Sequence, residues 1–562
     1  MDHANPDPGH PRVPWRGLLL LWGVALILAF AGLGNLPLRD WDEGIVARVS
    51  LEIADRGLPQ GLLPTLWGDP YRNKPPGLHL LIAGAIALWR LGSAAAADAL
   101  PPEWVVRLVP AVLSTLVVPL VGLVQFQLRP GQRATALATA AVMVTLLPVA
   151  RHGRLAMLDG TQLSAMALLW WALLRSRAAG SSPLREGGLA GLAGSGLLLL
   201  KAPILLPALA AGLIGLALDP SGGRPRWTPL LAGLGLGLAP GLGWHLWHGL
   251  KRGSDALWLW GGDGVTRVLL DAGEGSDLGW RVPLIKLLEG GWPWLPLWPL
   301  ALVLAWRQRH TPWGRWCLVL QGVLAAAILP LRTQLPWYSH PLWLPFALLC
   351  GPLLPLLLQP RRDRPALQVV PVLWALLGGV LLLLSLVAAS SRTGLPAAVS
   401  LLVLPAGVGL LAGGLLLQCP LERQRRCGLV LLLTGWCLSL LLLFQGPLWN
   451  WELNERDDVR PVARLAREAA AVAVDRSLPI YMTGDSGQRP SLSWYAQRRI
   501  LRLPERAEPS SPQQFLLIEK AIEPPPPLLL QAGARCRLTG LGAQGWQLWR
   551  CTLPDQSDAP RH

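Results

Sequence analysis

The chain has 562 residues, of which 52% are hydrophobic and 15% charged, with a formal net charge of +16. These proportions exclude a disordered chain, a collagen-like repeat and a small disulfide-stapled domain. A strongly basic balance raises nucleic-acid binding, but the basic residues are dispersed over loops between apolar runs of about 17–25 residues, the length of a helix crossing about 30 Å of hydrocarbon. The sequence therefore predicts an all-α polytopic membrane protein.

The first apolar run follows Arg12 and Arg16. It is too long for a signal-peptide core and lacks a small-residue cleavage site, so it is read as a retained anchor. Short loops rich in arginine stay cytoplasmic. That places Arg129 and Arg133, Arg175 to Arg185, Arg224 and Arg226, Arg307 to Arg315, Arg361 to Arg364, and Arg423 to Arg426 inside. Loops on one side must be joined by an even number of crossings, and this parity decides two segments. The run 76–89 is short, opens with Pro75-Pro76 and carries His79, so it is read as a helix lying on the outer surface. Residues 187–218 are read as two short spans with their tip at Lys201, because a lysine at the bilayer centre is costly.

The expected spans are thirteen: 17–36, 104–126, 134–150, 159–174, 187–200, 203–218, 228–248, 292–306, 313–330, 336–358, 366–390, 397–418 and 428–446. The N-terminus is then cytoplasmic and the C-terminal segment lies outside the cell's inner (plasma) membrane. The expected domains are 1–446, a transmembrane catalytic domain with outer loops 37–103 and 249–291, and 447–562, a small extracytoplasmic α/β domain. In the latter, Pro479-Ile-Tyr-Met and Phe515-Leu-Leu-Ile read as buried strands, and Val459 to Val474 as an amphipathic helix opened by Pro461. Cys536 and Cys551 flank an expected hairpin there, and either a disulfide or two free thiols fits.

The outer segments collect the chemistry. Asp42 and Glu43 open a helix-period run with Ile45, Val49 and Ile53 on one face, ended by Gly57. A carboxylate held there, partly desolvated, suits a general base toward a hydroxyl; the same spacing also suits a helix-capping acid pair. Asp159 likewise suits either an N-cap or a site acid. All five lysines of the chain, Lys74, Lys201, Lys251, Lys286 and Lys520, fall outside in this topology, where a compact point charge is available to an anion. Asp263 and Arg267 lie in the large outer loop, which suits either a cap that meets a bound substrate or a solvated loop of mixed charge.

Taken together, Trp41-Asp-Glu, Pro64-Thr-Leu-Trp-Gly-Asp-Pro-Tyr-Arg-Asn-Lys-Pro-Pro-Gly, Arg154-Leu-Ala-Met-Leu-Asp159, Lys201-Ala-Pro and Leu335-Pro-Trp-Tyr carry a resemblance. In that order they resemble the GT-C glycosyltransferases that use lipid-linked sugars, the aminoarabinose (lipid A) transferase and protein O-mannosyltransferase branch. The resemblance covers roughly residues 17–350 and the general layout of spans with an outer C-terminal domain. It implies an inverting glycosyltransferase that moves a sugar from a polyprenyl phosphate to a hydroxyl or phosphate acceptor. Asp42 matches the acid that deprotonates the acceptor, Asp159 a second acid beside it, and Glu43 shares the motif. Lys74 matches the lysine that meets the donor phosphate, with Arg72, Arg154 and Lys201 as further cations. Tyr71, His79 and Tyr338 are expected to line the acceptor cavity.

The sequence also departs from that pattern. Close relatives often carry an acid before the lysine and a Glu-His pair in the large outer loop; Asn73, and Asp263 followed by Gly264, stand there instead. No metal and no cofactor are therefore expected. Gly44-Ile45-Val46 stands where relatives tend to have an arginine, so either Arg48 serves one turn later or recognition of the sugar differs. The expected partners are a polyprenyl-phosphate sugar, a lipid, protein or glycan acceptor, and membrane lipids, met as a monomer and without nucleic acid. Two alternatives share the layout: a flippase or transporter for a lipid-linked sugar, and a glycan ligase or polymerase using diphosphate-linked donors.

Overall fold

In the computed structural model the described residues are 12–39, 41–93, 99–219, 225–260, 279–332, 334–359, 365–390, 396–450, 460, 463–464, 466–467, 479–482, 489–502, 514–520, 535–543 and 546–552. They form two compact units. The first comprises Met1–Leu33, Arg72–Leu81 and Arg107–Trp449; the second comprises Gly34–Tyr71, Ile82–Val106 and Asn450–His562.

The first unit is a helical bundle. Seven helical runs among the described residues are long and apolar enough to cross a membrane, or eight if one bent pair counts as a span. The thirteen spans expected from the sequence are not reproduced by this test, because several of the expected spans are helices shorter than it admits, such as Trp15–Phe30 and Leu297–Arg307. The bent pair, Arg133–Thr145 with Leu147–Gly153, turns by 63°. Pro148 opens the second piece, and without an N–H it cannot continue the ladder of the first.

Four helices matter for the site. We number them α1 (Leu158–Arg175), α2 (Pro183–Lys201), α3 (Leu205–Ala217) and α4 (Trp227–Arg252). Ser182 caps α2, its Oγ accepting from the Arg185 N–H, with Pro183 in the first turn. Helices α2 and α3 are the two arms of the hairpin expected from parity. Arg175 at the end of α1 pairs with Glu186 at the start of α2, and Asp159 at the start of α1 pairs with Lys201 at the end of α2. Helix α2 is therefore antiparallel to α1. Helix α3 runs back parallel to α1, since Trp170 Nε1 donates to the Ala208 carbonyl and Arg177 to that of Leu216. The reversal falls at Lys201, whose φ of −150° and ψ of 86° leave the helical region.

The basic loops gather at one end of this unit. Arg129 donates to Gln308, Arg133 to the Arg12 carbonyl, Arg315 to the Leu218 carbonyl and Arg425 to the Leu358 carbonyl. Helix α1 runs from the Asp159–Lys201 end to the end carrying Arg175 and Arg177, so Asp159 and Lys201 are separated from these arginines by the length of that helix.

The second unit pairs the first loop of the chain with its C-terminal segment. A helix Asp42–Arg56, here α5, is followed by a two-residue hairpin, β1 (Thr65–Leu66) and β2 (Asp69–Pro70). Trp67 and Gly68 between them have φ of 56° and 84°, the left-handed pair that tight hairpins require. The C-terminal sheet has the order β4-β3-β5-β7-β6, with β3 (Ile480–Met482) parallel to β4 (Ile500–Arg502) and β5 (Gln514–Lys520), and β7 (Trp546–Thr552) antiparallel to β5 and β6 (Arg535–Ala543). Both strands expected from the sequence are present as β3 and β5. Cys536 and Cys551 face each other across β6 and β7 and form a disulfide. The helix expected at Val459 to Val474 lies largely outside the described residues, although 460, 463–464 and 466–467 within it are helical.

Candidate functional site

In the first unit the expected residues Asp159, Lys201 and Tyr338 are brought together. Asp159 sits in the first turn of α1 and is buried. Its neighbour Gly160 lets that turn lie against two other segments: a Cβ there would stand 2.7 Å from Gly153 Cα and 2.5 Å from Ser114 Oγ. Asp159 Oδ1 receives Lys201 Nζ at 3.3 Å and Gln162 Nε2 at 3.3 Å. The Lys201 ammonium also lies 4.6 Å over the Tyr338 ring, where the face of the aromatic quadrupole attracts a cation. Lys201 thus reaches one acid and one aromatic face from a helix break, with part of its side chain still open to solvent.

The Lys74 motif is tied to the same place by its glycine. A Cβ on Gly77 would meet the Leu199 carbonyl oxygen at 2.7 Å, so Lys74-Pro-Pro-Gly packs on the last turn of α2, two residues before Lys201. Lys74 is half-buried and Arg72 exposed. His79, one turn on, is buried and its Nδ1 lies 3.2 Å from the Pro75 carbonyl. Burial pushes its pKa down to about 4, and the positive charge of Lys74 adds to the effect. His79 is therefore a neutral ring that occupies space beside a cation.

Arg154 is placed differently. It is wholly buried, donates to the carbonyls of Ala31 and Phe444, and lies 4.6 Å and 4.7 Å over the rings of Phe444 and Trp449. These contacts make it a brace between the chain's first and last apolar helices. Beside it in sequence, His152 stands edge-on to His340 with ring centroids 4.5 Å apart, and 6.1 Å from Trp337. Leu335-Pro-Trp-Tyr thus sends Tyr338 to Lys201 and Trp337 toward His152. Nothing in the sequence singled out His340.

In the second unit Asp42 opens α5, half-buried in its first turn. The preceding Trp41 has φ of 59° and ψ of −78°. Such a conformation in a tryptophan costs about 1–3 kcal/mol and persists where surrounding structure imposes it, commonly at functional sites. Burial pushes the Tyr71 hydroxyl pKa well up, and the charge of Asp42 pushes it further. Tyr71 is therefore a protonated phenol within electrostatic reach of Asp42. Glu43 turns the other way. Its side chain is wholly buried and accepts from the Arg39 N–H at 2.9 Å, closing the start of its own helix.

Glu52 organises the hairpin that leads into Tyr71. Its two oxygens accept from Arg48 Nε at 2.7 Å, Thr65 Oγ1 at 2.6 Å, the Trp67 N–H at 2.7 Å and the Gly68 N–H at 3.3 Å. The Arg48 guanidinium also stacks 3.8 Å over Trp67. Burial raises the Glu52 pKa, but the bonds from Thr65 and Arg48 and the Arg48 charge outweigh it, and the net shift is downward. Arg48 is thus committed to this network.

Two contacts attach the first loop, α5 included, to the C-terminal segment. A Cβ on Gly44 would stand 2.6 Å from the Ser491 nitrogen, and the Tyr495 hydroxyl accepts from the Leu38 N–H at 2.7 Å while donating to Glu103 at 2.8 Å. The sequence carried the signal for the first in the glycine of Asp-Glu-Gly; the second had none. Asp263 and Arg267 lie outside the described residues. Among the described residues no group of three or more His, Cys, Asp or Glu side chains is placed to hold a metal ion.

This helical bundle with its small mixed sheet is the GT-C fold of polytopic membrane proteins. The solved structure of ArnT from Cupriavidus metallidurans bound to undecaprenyl phosphate is similar over 96% of this chain and 98% of that one, with a TM-score of 0.70 and 16% identity. Its apo state is similar over 95% and 97%, with the same score and identity. The archaeal oligosaccharyltransferase AglB from Archaeoglobus fulgidus is more distant, with a TM-score of 0.48 at 11% identity over 86% of this chain and 64% of that one. No family model and no curated protein matches the sequence.

Proposed function

We propose that the chain is an inverting glycosyltransferase that moves a sugar from a polyprenyl-phosphate donor to a hydroxyl or phosphate acceptor at the outer face of the plasma membrane. The observation that carries this reading is the cluster of Asp159, Lys201 and Tyr338, against which Gly77 packs the Lys74 motif. A lysine on one buried acid and one aromatic face, with the Lys74 motif packed beside it through Gly77 at the bundle end opposite the arginine loops, suits a phosphate whose lipid tail lies in the membrane. The fold likeness extends over nearly the whole length of a protein whose structure holds undecaprenyl phosphate, which agrees with that ligand class.

The roles follow from the chemistry. The acceptor O–H gives its proton to Asp42, and the oxygen attacks the anomeric carbon as the bond from that carbon to the phosphate oxygen breaks. The electron pair leaves with the phosphate, which is stabilised by positive charge already in place. Lys74 and Lys201 supply that charge, with Arg72 at the exposed side. Asp159 holds the Lys201 ammonium in position. Tyr71 keeps its proton beside Asp42, and His79 is an uncharged ring near Lys74. Glu43 and Arg154 are positioning residues, since the bonds described above turn them to backbone. One displacement with one base and no covalent intermediate inverts the anomeric carbon. The C-terminal domain, 447–562, lies on the outer side in this reading, together with the first outer loop.

The test is a proteoliposome assay with a radiolabelled polyprenyl-phosphate sugar. Asp42→Asn abolishes transfer while donor binding persists; transfer that survives this change removes Asp42 from the mechanism. Movement of the sugar lipid between leaflets with no transfer by the wild type rejects the enzyme in favour of a flippase.

A further inference from the structure

At the other end of the first unit the basic loops frame a cavity of about 1130 Å³. Arg129, Arg133 and Arg307 stand around it, and none of the described lining residues is acidic. Three guanidinium charges thus share one opening with no carboxylate among those residues to neutralise them. Two of the three are held in place. Arg129 donates to Gln308 at 2.6 Å and to Gln132 at 3.4 Å, and its guanidinium lies 4.1 Å over the Trp313 ring; Arg133 donates to the Arg12 carbonyl at 2.9 Å. The rest of the wall is apolar: Val303 and Leu304 from one side and Leu356 from another. Val303 is 52% exposed.

A cavity with a cationic mouth and an apolar wall, at the ends of membrane helices, matches one ligand chemistry. We propose that it binds an anionic phospholipid of the cytoplasmic leaflet, with the phosphodiester between the arginines and the first part of the chains against Val303, Leu304 and Leu356. Basic pockets between spans on that side recognise anionic headgroups, and planar guanidinium groups suit phosphate oxygens. A soluble phosphate would use the arginines and leave the apolar wall bare. The inference is independent of the proposed transfer reaction, since Asp159 and Lys201 lie at the opposite end of this unit.

The experiment is native mass spectrometry of the full chain in detergent, titrated with phosphatidylglycerol or with phosphatidylcholine. Wild type retains phosphatidylglycerol in preference to phosphatidylcholine. In the double variant Arg129→Gln/Arg307→Gln its apparent Kd rises about 30-fold, the effect of removing two arginines near a headgroup. The double variant Arg423→Gln/Arg426→Gln, which removes the same charge from another basic loop, leaves the Kd unchanged. Val303→Trp, which fills the apolar part and keeps every charge, also weakens phosphatidylglycerol. Equal losses in the two arginine variants, indifference to the headgroup, or full displacement of the lipid by millimolar inorganic phosphate would each overturn the proposal.

Discussion

Replacing Glu52 by glutamine tests whether one carboxylate holds the first loop in shape. The four donors on Glu52 divide evenly, Arg48 and the Trp67 N–H on one oxygen, Thr65 and the Gly68 N–H on the other. An amide keeps one acceptor oxygen and turns an NH₂ toward the other pair of donors. Two donors lose their acceptor, and a buried one costs about 1–3 kcal/mol. Arg48, with 23% of its side chain exposed, can turn to water, so the loss is about 2–4 kcal/mol in local stability. That is about 30-fold to several hundred-fold in the opening equilibrium. Hydrogen exchange read on peptides covering 60–71 should speed up by that factor at Trp67 and Gly68, while the helices of the first unit keep their protection. The pH dependence has a defined sign. The folded-state pKa of Glu52 lies below the ordinary value of 4.5, so its stabilisation is fully present above that value and is lost as pH falls through the lowered one. Glu52→Gln should flatten this acid limb. Exchange at 60–71 that is the same in the variant and in wild type, at neutral pH, refutes the reasoning.

Three further outcomes are expected. Lys201→Gln leaves Asp159 buried without an ammonium and removes a cation from the proposed phosphate site; the KM for the donor should rise at least about tenfold, with Lys201→Arg recovering part of it. Gly44→Val drives a side chain into the Ser491 backbone, so protease cleavage within 450–562 should accelerate while secondary structure of the bundle, followed by circular dichroism, stays intact. Cys536→Ser opens a disulfide that closes a separation of 15 residues, a loss of about 3 kcal/mol by loop entropy; unfolding of the sheet followed by exchange at β6 and β7 should report it, and unchanged exchange would count against a stabilising bridge.

Much of the architecture was legible in periodicity and charge, because both are local. A stretch of apolar residues between arginine clusters must cross or lie on a membrane wherever it occurs, and parity then constrained the hairpin at Lys201, which the pairs Arg175–Glu186 and Asp159–Lys201 on one arm and Trp170–Ala208 and Arg177–Leu216 on the other reproduce. The β3 and β5 strands followed from short buried runs. Within the candidate site the residue types were also legible: Asp42, Lys74, Asp159 and Lys201 stand out as charges at span ends, where a charge needs a reason.

Only the tertiary structure decided how those charges are spent. Asp42 and Glu43 are adjacent in sequence and alike in chemistry, yet one remains half-buried while the other closes its own helix on the Arg39 N–H. Arg154 and Lys201 are both cations near span ends, yet one is braced on two carbonyls and two aromatic faces and the other rests on Asp159 and Tyr338. The attachment of the first loop to the C-terminal segment through Gly44 and Tyr495, and the cavity between Arg129, Arg133 and Arg307, join positions far apart in the chain. Periodicity and composition describe each residue's neighbours along the chain. Which carboxylate finds a donor and which cation an aromatic face depends on neighbours that only folding supplies, and that division separates what the sequence determined from what the fold decided.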